Sequence, residues 1–177
     1  PDIVVYGKTM ANGIPMGAIV GKKKIISLAL KTFVSSSFWT EKVGPSCALA
    51  FIKKHKKLRI GKKLNNIGLK IKKIWKDAAH KNNLEISIKG INPPATITLN
   101  TRDWPSTITS FNQEMLKKNI LASDRCYANL MHKDKNLRIY QKACESVFKK
   151  IAYYEKKGKL NKMLDGPVKQ MGFKRLT

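Results

Sequence analysis

The stretch PDIVVYGKTMANGIPMGAIVG, residues 1–21, decides how this chain folds. Residues 3–5 form a short β-branched run of the kind found in buried parallel strands, and Gly7 interrupts this run directly before Lys8. A second apolar run, residues 18–20, follows a loop that is rich in glycine and small residues. The pattern therefore predicts a strand, a loop that carries one lysine, and a second strand.

Lys8 is placed where the first predicted strand ends. In open α/β sheets, ligands bind at the carboxyl ends of the strands. A lysine that is desolvated at such a place has its ammonium form disfavoured, which makes the amine a better nucleophile towards an aldehyde. The position is suited to a Schiff base, although an ordinary solvated lysine is the alternative in so lysine-rich a chain.

The same segment resembles the cofactor-lysine segment of the class III pyridoxal-phosphate-dependent aminotransferases, in particular their glutamate-1-semialdehyde aminomutase-like branch. That family segment runs as a short strand, Gly-Lys, a small-residue loop with Gly-x-Pro-x-Gly, and a second strand. The resemblance continues through SSSFWTEKVGPSCALA (35–50), ILASDRCYANLMHKDKN (120–136) and the final GFKRLT. It implies an α/β protein of the fold-type I pyridoxal-phosphate-dependent transferases, in which the tail of the large α/β domain precedes a small C-terminal α+β domain.

The resemblance also implies roles for particular residues. Lys8 matches the lysine that forms the Schiff base with pyridoxal 5′-phosphate and then moves a proton on the substrate. Ser37, together with its neighbour Ser36, matches a position that is usually threonine and that reaches the cofactor phosphate of the neighbouring subunit, which implies a homodimer. Arg125 matches a segment near the active-site mouth and is a candidate for binding a substrate carboxylate. Ordinary loop serines and a solvated arginine are the alternatives.

The reaction implied by the resemblance is transfer of an amino group from a small-molecule amino donor to an aldehyde or keto acceptor. The intramolecular amino shift of glutamate-1-semialdehyde 2,1-aminomutase would use the same lysine and cofactor, so the two reactions stay open. The loop after Ser37 reads FWTEKVGPS, whereas the commoner family pattern has a small residue and Asn-Pro. Phe38 and Trp39 could line a substrate entrance or pack at the dimer interface, and packing is favoured.

The length indicates an incomplete member of that family. The 177 residues begin at Pro1 in mid-strand and correspond to less than the C-terminal half of a family member. We therefore expect upstream sequence that carries the acidic partner of the pyridine nitrogen, the ring-stacking aromatic and the main phosphate loop. The chain alone is expected to be inactive, and a split enzyme made of two polypeptides is a further arrangement.

The net charge of +25 would ordinarily suggest a nucleic-acid partner. Arginine is the residue of bidentate phosphate and base recognition, yet nearly all of the 36 basic residues are lysines. These lysines are spread along the chain and alternate with apolar residues at helical spacing, most clearly over residues 58–80. We therefore interpret the positive charge as that of a solvated surface that does not bind nucleic acid. The alternative, from another functional class, is a basic binding module that is a remnant of the enzyme and has lost its catalytic activity.

Neither a metal site nor a membrane segment is expected. Cys47, Cys126 and Cys144 lack C-x-x-C spacing and stand apart from the three histidines, as is typical of buried free thiols in a reducing compartment. No stretch approaches about 20 uninterrupted apolar residues, and the available N-terminus has no signal-peptide pattern. The sequence therefore favours a cytoplasmic protein.

A coarse reading of the remaining sequence predicts helices, two strands and one further short strand. Helices are expected at residues 23–31, 43–57, 58–80, 107–118 and 134–157, strands at 84–90 and after Pro94, and a short strand at 120–122. In the helix of residues 43–57, the packing side is expected to carry Ala48, Leu49, Phe51 and Ile52. We place a domain boundary near residue 58, with the tail of the large domain at 1–57 and the small α+β domain at 58–177.

Overall fold

The structure is a computed structural model that describes residues 1–35, 37 and 40–172. The chain divides into two compact units, Pro1–Ile60 and Gly61–Thr177. Of the helices that these residues form, none is long and apolar enough to cross a membrane.

The first unit contains one β-hairpin and one long helix. Strands β1 (Ile3–Tyr6) and β2 (Ala18–Gly21) are followed by helix α1 (Lys23–Ile26), a 3₁₀ turn at Ser27–Lys31 and helix α2 (Val43–Leu58). The strands, the short helix with its 3₁₀ turn, and the long helix confirm the order that the sequence predicted.

Residues 3–5 form a strand, as predicted. Among the described residues this strand has one partner, which is antiparallel, and its parallel pairing with other strands stays a prediction. Strand β1 pairs antiparallel with β2, in a register that places Tyr6 opposite Ala18. A loop too short for a crossover joins the two strands, and such a connection permits only antiparallel pairing. Ile3 is 47% exposed and Val5 is 71% exposed, because the hairpin forms a two-stranded sheet of its own.

Helix α2 buries less of its apolar side than the sequence indicated. Ala48 is buried, as predicted, whereas Leu49 is 60% exposed and Ile52 is 41% exposed. Within the first unit the helix packs against a 3₁₀ turn at Lys8–Ala11, and this contact covers only part of the helix surface.

The second unit packs helices on a three-stranded antiparallel sheet. It consists of α3 (Ile60–Lys81), β3 (Ile86–Lys89), β4 (Pro94–Leu99), α4 (Trp104–Leu116), β5 (Arg125–Tyr127), α5 (Asp134–Lys156) and a 3₁₀ turn at Leu160–Met163. The strand order is β3-β4-β5. The helices predicted at 58–80 and 134–157 are confirmed to within two residues, because both carry an apolar face at helical spacing.

Two boundaries in this unit differ from the prediction. Helix α4 begins at Trp104 rather than near Thr107, because the Asp103 carboxylate caps it by accepting a hydrogen bond from the Ser106 backbone N–H at 3.1 Å. Hydrogen bonds from Ser106 lower the pKa of Asp103 below its ordinary value. Residues 120–122 are not a strand, since the third strand of the sheet starts at Arg125, which lies opposite Thr96 of β4.

The core of the second unit lies where the three long helices and the sheet meet. Its fully buried large side chains include Trp75 of α3, Ile97 of β4, Phe111 of α4 and Phe148 of α5. The rings of Phe111 and Phe148 meet edge to face with their centroids 6.0 Å apart. This core joins the three long helices and the sheet of the second unit.

Helix α3 approaches the turn between β3 and β4 closely at Gly68. A Cβ atom at this position would lie 2.0 Å from the carbonyl oxygen of Asn92 and 2.4 Å from its carbonyl carbon. Both contacts are with backbone, which cannot swing aside as the end of a side chain can.

We expect Gly68→Ala to lower the free energy of unfolding by about 1–3 kcal/mol, the usual cost of overpacking. Alanine would favour the helix by about 1 kcal/mol over glycine, so the clash has to outweigh this gain. Gly166→Ala is the matched control, because nothing lies within 4 Å of its added Cβ. Urea unfolding followed by circular dichroism measures both variants, and equal stability of the two would contradict the close packing at Gly68.

Candidate functional site

Lys8 follows strand β1 after a single residue, Gly7, and is the first residue of the 3₁₀ turn Lys8–Ala11. The loop that carries it runs from Gly7 to Gly17, between the two strands of the hairpin. Helix α2 packs on this turn, where Ala11 is buried, and the Met16 side chain reaches to 3.4 Å from a Cβ built at Gly44. The hairpin and helix α2 therefore hold the lysine loop in place.

The backbone of Lys8 adopts a left-handed conformation with φ of 58°. Five non-glycine residues of the described chain share a positive φ, and they are Lys8, Asn12, Arg59, Asn83 and Asn119. Asparagine tolerates this region, and Arg59 is in it as the C-cap of α2. Lys8 has neither explanation, so its conformation is a local strain of the kind that clusters at functional sites.

The side chain of Lys8 is exposed, although the sequence predicted a desolvated amine at the strand end. The difference arises because α2 covers the turn at Ala11 and leaves Lys8 uncovered within the first unit. Among the described residues, no carboxylate lies within ion-pair distance of its Nζ. An exposed amine that forms no ion pair with these residues is accessible for reaction with the aldehyde group of pyridoxal phosphate.

Ser37 lies in a turn of the first unit, and it is exposed. Its hydroxyl can donate a hydrogen bond to a phosphate oxygen and so fits the role that the sequence suggested. Ser36, the other predicted phosphate residue, and the aromatic residues Phe38 and Trp39 lie outside the described residues. The structure thus describes two of the predicted cofactor residues, Lys8 and Ser37, in the same unit.

Arg125 belongs to the second unit, where it is the first residue of β5 and is exposed. The Ser123 hydroxyl accepts a hydrogen bond from the Arg125 backbone N–H and donates one to the Arg125 carbonyl oxygen, both at 3.1 Å. The turn therefore holds the backbone of Arg125, and among the described residues no carboxylate pairs with its guanidinium group.

A cavity of about 390 Å³ has Arg125 among its lining residues, and it was not predicted from the sequence. Helices α3 and α5 and the segment between α4 and β5 form its walls. The lining residues are Ile71, Asn119, Ile120, Leu121, Ala122, Ser123, Arg125, Cys126, His132, Asn136, Leu137, Ile139 and Tyr140. Residues 120–122 line this cavity instead of forming the predicted strand, so their apolar character reflects the cavity wall and not a sheet.

The buried polar groups near the cavity are held in their neutral forms. Burial raises the pKa of Tyr140 well above its ordinary value, and the Tyr140 oxygen accepts a hydrogen bond of 2.7 Å from the Trp75 indole N–H. Burial also raises the pKa of the Cys126 thiol and raises that of Cys144 to about 12. These thiols are therefore protonated at neutral pH and are poor nucleophiles.

The three cysteines of the chain are free thiols. Over the described ranges, His, Cys, Asp and Glu form no group of three or more that could hold a metal ion. The chemistry that the described residues offer is accordingly that of an exposed amine, a hydroxyl and an unpaired guanidinium group.

No protein-family model matches the sequence, and a search of curated proteins found no match. Solved structures do match the fold. The PLP internal aldimine form of the FumI protein of Sphingopyxis sp. MTA144 has a TM-score of 0.77 at 20% identity over 87% of this chain and 38% of that chain. A transaminase with PLP bound has a TM-score of 0.76 at 16% identity, over 88% of this chain and 39% of its own.

An omega-transaminase from Sphaerobacter thermophilus gives a similar result, with a TM-score of 0.75 at 13% identity over 86% of this chain and 39% of that chain. The chain spans about two fifths of the length of these structures. The predicted fold class is confirmed: the chain is a mixed α/β protein with the fold of a corresponding portion of PLP-dependent transaminases.

Proposed function

We propose that this chain forms the cofactor-lysine and small-domain portion of a class III pyridoxal-phosphate-dependent aminotransferase. The observation that carries the proposal is Lys8, an exposed amine without an ion-pair partner among the described residues, held at a strand end in a left-handed backbone conformation. The likeness of the fold to solved transaminases supports it.

Lys8 has two roles in the proposed mechanism. As a neutral amine, its Nζ has the lone pair needed to bind the aldehyde carbon of the cofactor and, once displaced, to accept a proton from the substrate carbon. As an ammonium group it can return that proton. Pyridoxal phosphate, when bound, supplies the electron sink that stabilises negative charge at the substrate carbon.

The other proposed residues bind and orient. The hydroxyl groups of Ser37 and Ser36 would donate hydrogen bonds to the cofactor phosphate, and in the resemblance this contact crosses to the neighbouring subunit of a homodimer. Arg125 would bind a carboxylate of the substrate through its planar fork of donors. The substrates would be a small-molecule amino donor and an aldehyde or keto acceptor.

The exposed apolar side chains of the first unit support its assignment to a larger domain. Phe33 is 96% exposed, Leu30 is 89% exposed and Val5 is 71% exposed. Large exposed apolar patches mark surfaces that other protein covers. We propose that residues 1–57 are part of a large cofactor-binding domain, whose other elements would cover these side chains, and that residues 58–177 are the small domain.

An intramolecular amino shift of the glutamate-1-semialdehyde aminomutase type would use the same Lys8. The two reactions differ in their products, since only amino transfer between two molecules releases a second keto compound. An assay with glutamate-1-semialdehyde, and separately with an amino donor and a keto acid, distinguishes them by whether that compound accumulates.

We expect covalent capture of the cofactor at Lys8. When the protein in its natural form is incubated with pyridoxal phosphate, reduced with borohydride and digested, mass spectrometry should find the pyridoxyl group mainly on the peptide that contains Lys8. Among exposed lysines, only one in such a site is expected to be labelled preferentially.

Two variants control this labelling. Lys8→Arg keeps the positive charge and should lose the label, whereas Lys24→Ala removes another exposed lysine of the first unit and should keep it. A label that is spread over many lysines in proportion to their exposure would contradict the proposal.

A further inference from the structure

We propose that residues 164–169, here called the strap, open away from helix α4 as one segment while the rest of the second unit stays folded. Gln113 of α4 is the latch that holds the strap closed. The strap follows the 3₁₀ turn Leu160–Met163 and forms no helix or strand of its own. This movement lies within the second unit and does not depend on the proposed amino transfer.

The turn that precedes the strap is packed into the core. Leu160 and Met163 are buried, and both belong to the same hydrophobic cluster as Phe148 of α5. The Lys159 backbone N–H, directly before the turn, donates a hydrogen bond to the Tyr154 carbonyl oxygen of α5 at 3.0 Å. The start of the strap is therefore anchored, and only the residues after the turn are free to open.

The strap itself is attached to α4 through side chains of that helix. Nε2 of Gln113 donates a hydrogen bond to the Met163 carbonyl oxygen, and its Oε1 accepts one from the Asp165 backbone N–H, both at 2.8 Å. One turn earlier on α4, the Thr109 hydroxyl oxygen accepts a hydrogen bond from the Lys169 backbone N–H at 3.1 Å. Gln113 thus bridges the end of the anchored turn and the first part of the strap.

Within the described part of the chain, the backbone of the strap bonds to no backbone group of another element. Its one backbone–backbone hydrogen bond runs from the Leu164 N–H to the Asn161 carbonyl oxygen at 3.2 Å, within the preceding turn. Residues 165–168 are exposed, so opening uncovers little apolar surface. A segment with few buried contacts opens at a much lower free energy than the core.

An ion pair adds little to this attachment. Lys117 Nζ lies 2.6 Å from Asp165 Oδ2 and 3.2 Å from Glu114 Oε1, and the Asp165 side chain is 65% exposed. Ion pairs that are this open to solvent contribute little to stability. Lys117 also keeps Glu114 as a partner when the strap opens. The two hydrogen bonds of Gln113 are therefore the larger part of the attachment.

Hydrogen exchange of single backbone amides, followed by NMR on the full chain, tests the opening. In the wild type, we expect the Asp165 and Lys169 amides to be protected to the same degree. We expect both to exchange about a hundredfold or more faster than the Phe148 amide, which exchanges only when the core opens. If the two strap amides exchange as slowly as that of Phe148, or as fast as those of an unfolded peptide, the proposal is wrong.

Replacing the latch tests whether the strap opens as one segment. Gln113→Ala should speed exchange of both strap amides by about tenfold or more, because two hydrogen bonds are lost. The Lys169 amide is the decisive readout, since its own acceptor, Thr109, is unchanged in this variant. Gln141→Ala is the matched control: this α5 glutamine bonds to Glu145 at 3.2 Å, and its loss should leave exchange in the strap as it was.

The reciprocal variant is Thr109→Val, which keeps the shape of the side chain and removes the acceptor of the Lys169 N–H. It should speed exchange of the Asp165 amide several-fold as well. If each variant speeds only the amide whose own acceptor it removes, the bonds are independent and there is no single opening segment. The Phe148 amide reports on folding, and a rise there as large as that in the strap would exclude Gln113 as a latch.

Discussion

Replacing Lys8 by alanine is expected to lower amino-transfer turnover of the protein in its natural form by about a thousandfold or more. The variant loses both the nucleophile for the cofactor aldehyde and the group that moves the proton, and each of these contributions is large. Turnover measured under saturating pyridoxal phosphate, with a separate absorbance titration of the cofactor, checks this expectation.

The controls separate chemistry from folding. Lys8 has a φ of 58°, which alanine adopts at a cost of about 1–2 kcal/mol and glycine adopts freely. Lys8→Gly should therefore be as inactive as Lys8→Ala while folding at least as well. Lys24→Ala should retain turnover. Turnover of the folded Lys8→Gly protein within tenfold of the wild type would remove Lys8 from the mechanism.

Replacing Trp75 by alanine is expected to lower the free energy of unfolding by about 3–5 kcal/mol, the usual loss for a large buried aromatic side chain. Trp75 is fully buried on α3, and its indole N–H donates to the Tyr140 hydroxyl of α5 at 2.7 Å. Since domains are stable by only about 5–15 kcal/mol, this one substitution should remove a large share of the stability of the second unit. Urea unfolding followed by circular dichroism measures the loss.

Smaller variants separate the hydrogen bond from the packing. Tyr140→Phe keeps the ring but leaves the buried indole N–H of Trp75 without its acceptor, at an expected cost of about 1–3 kcal/mol. Trp75→Phe combined with Tyr140→Phe should cost less than the sum of the two single substitutions, because the bond is lost only once. Leu116→Ala is the matched control, since Leu116 is 61% exposed and should change stability by about 0.5 kcal/mol or less. If the loss of unfolding free energy in the double variant equals the sum of the two single losses, the hydrogen bond contributes nothing to stability.

Much of the architecture could be predicted from the sequence because its helices carry regular patterns. In α3 and α5, apolar residues recur at helical spacing between lysines, and both helices have the predicted bounds to within two residues. Helix α4 starts three residues earlier than predicted, because Asp103 caps it and Pro105 occupies its first turn. Residues 120–122 misled the prediction because a short apolar run suits a strand and a cavity wall equally well.

The candidate site was predictable in part. Lys8 could be singled out because Gly7 ends a strand directly before it, and a resemblance to a known segment assigned it a role. Its left-handed backbone conformation could not be foreseen, because a positive φ in a lysine opposes its local preference and is imposed by the surrounding hairpin and helix. The cavity beside Arg125 escaped prediction for a related reason, since residues far apart in the sequence form its walls.

The sequence by itself determined the order of strands and helices, the position of Lys8 at the end of a strand, and the resemblance that suggests a cofactor. These properties follow from residues that are close along the chain, where spacing and turn chemistry act directly. Only the tertiary structure decided that β1 pairs antiparallel with β2, that Gly68 meets the backbone of Asn92, and that Arg125 is one of the residues that line a cavity. Such contacts join residues that are distant along the chain, and their free energy depends on how whole elements pack.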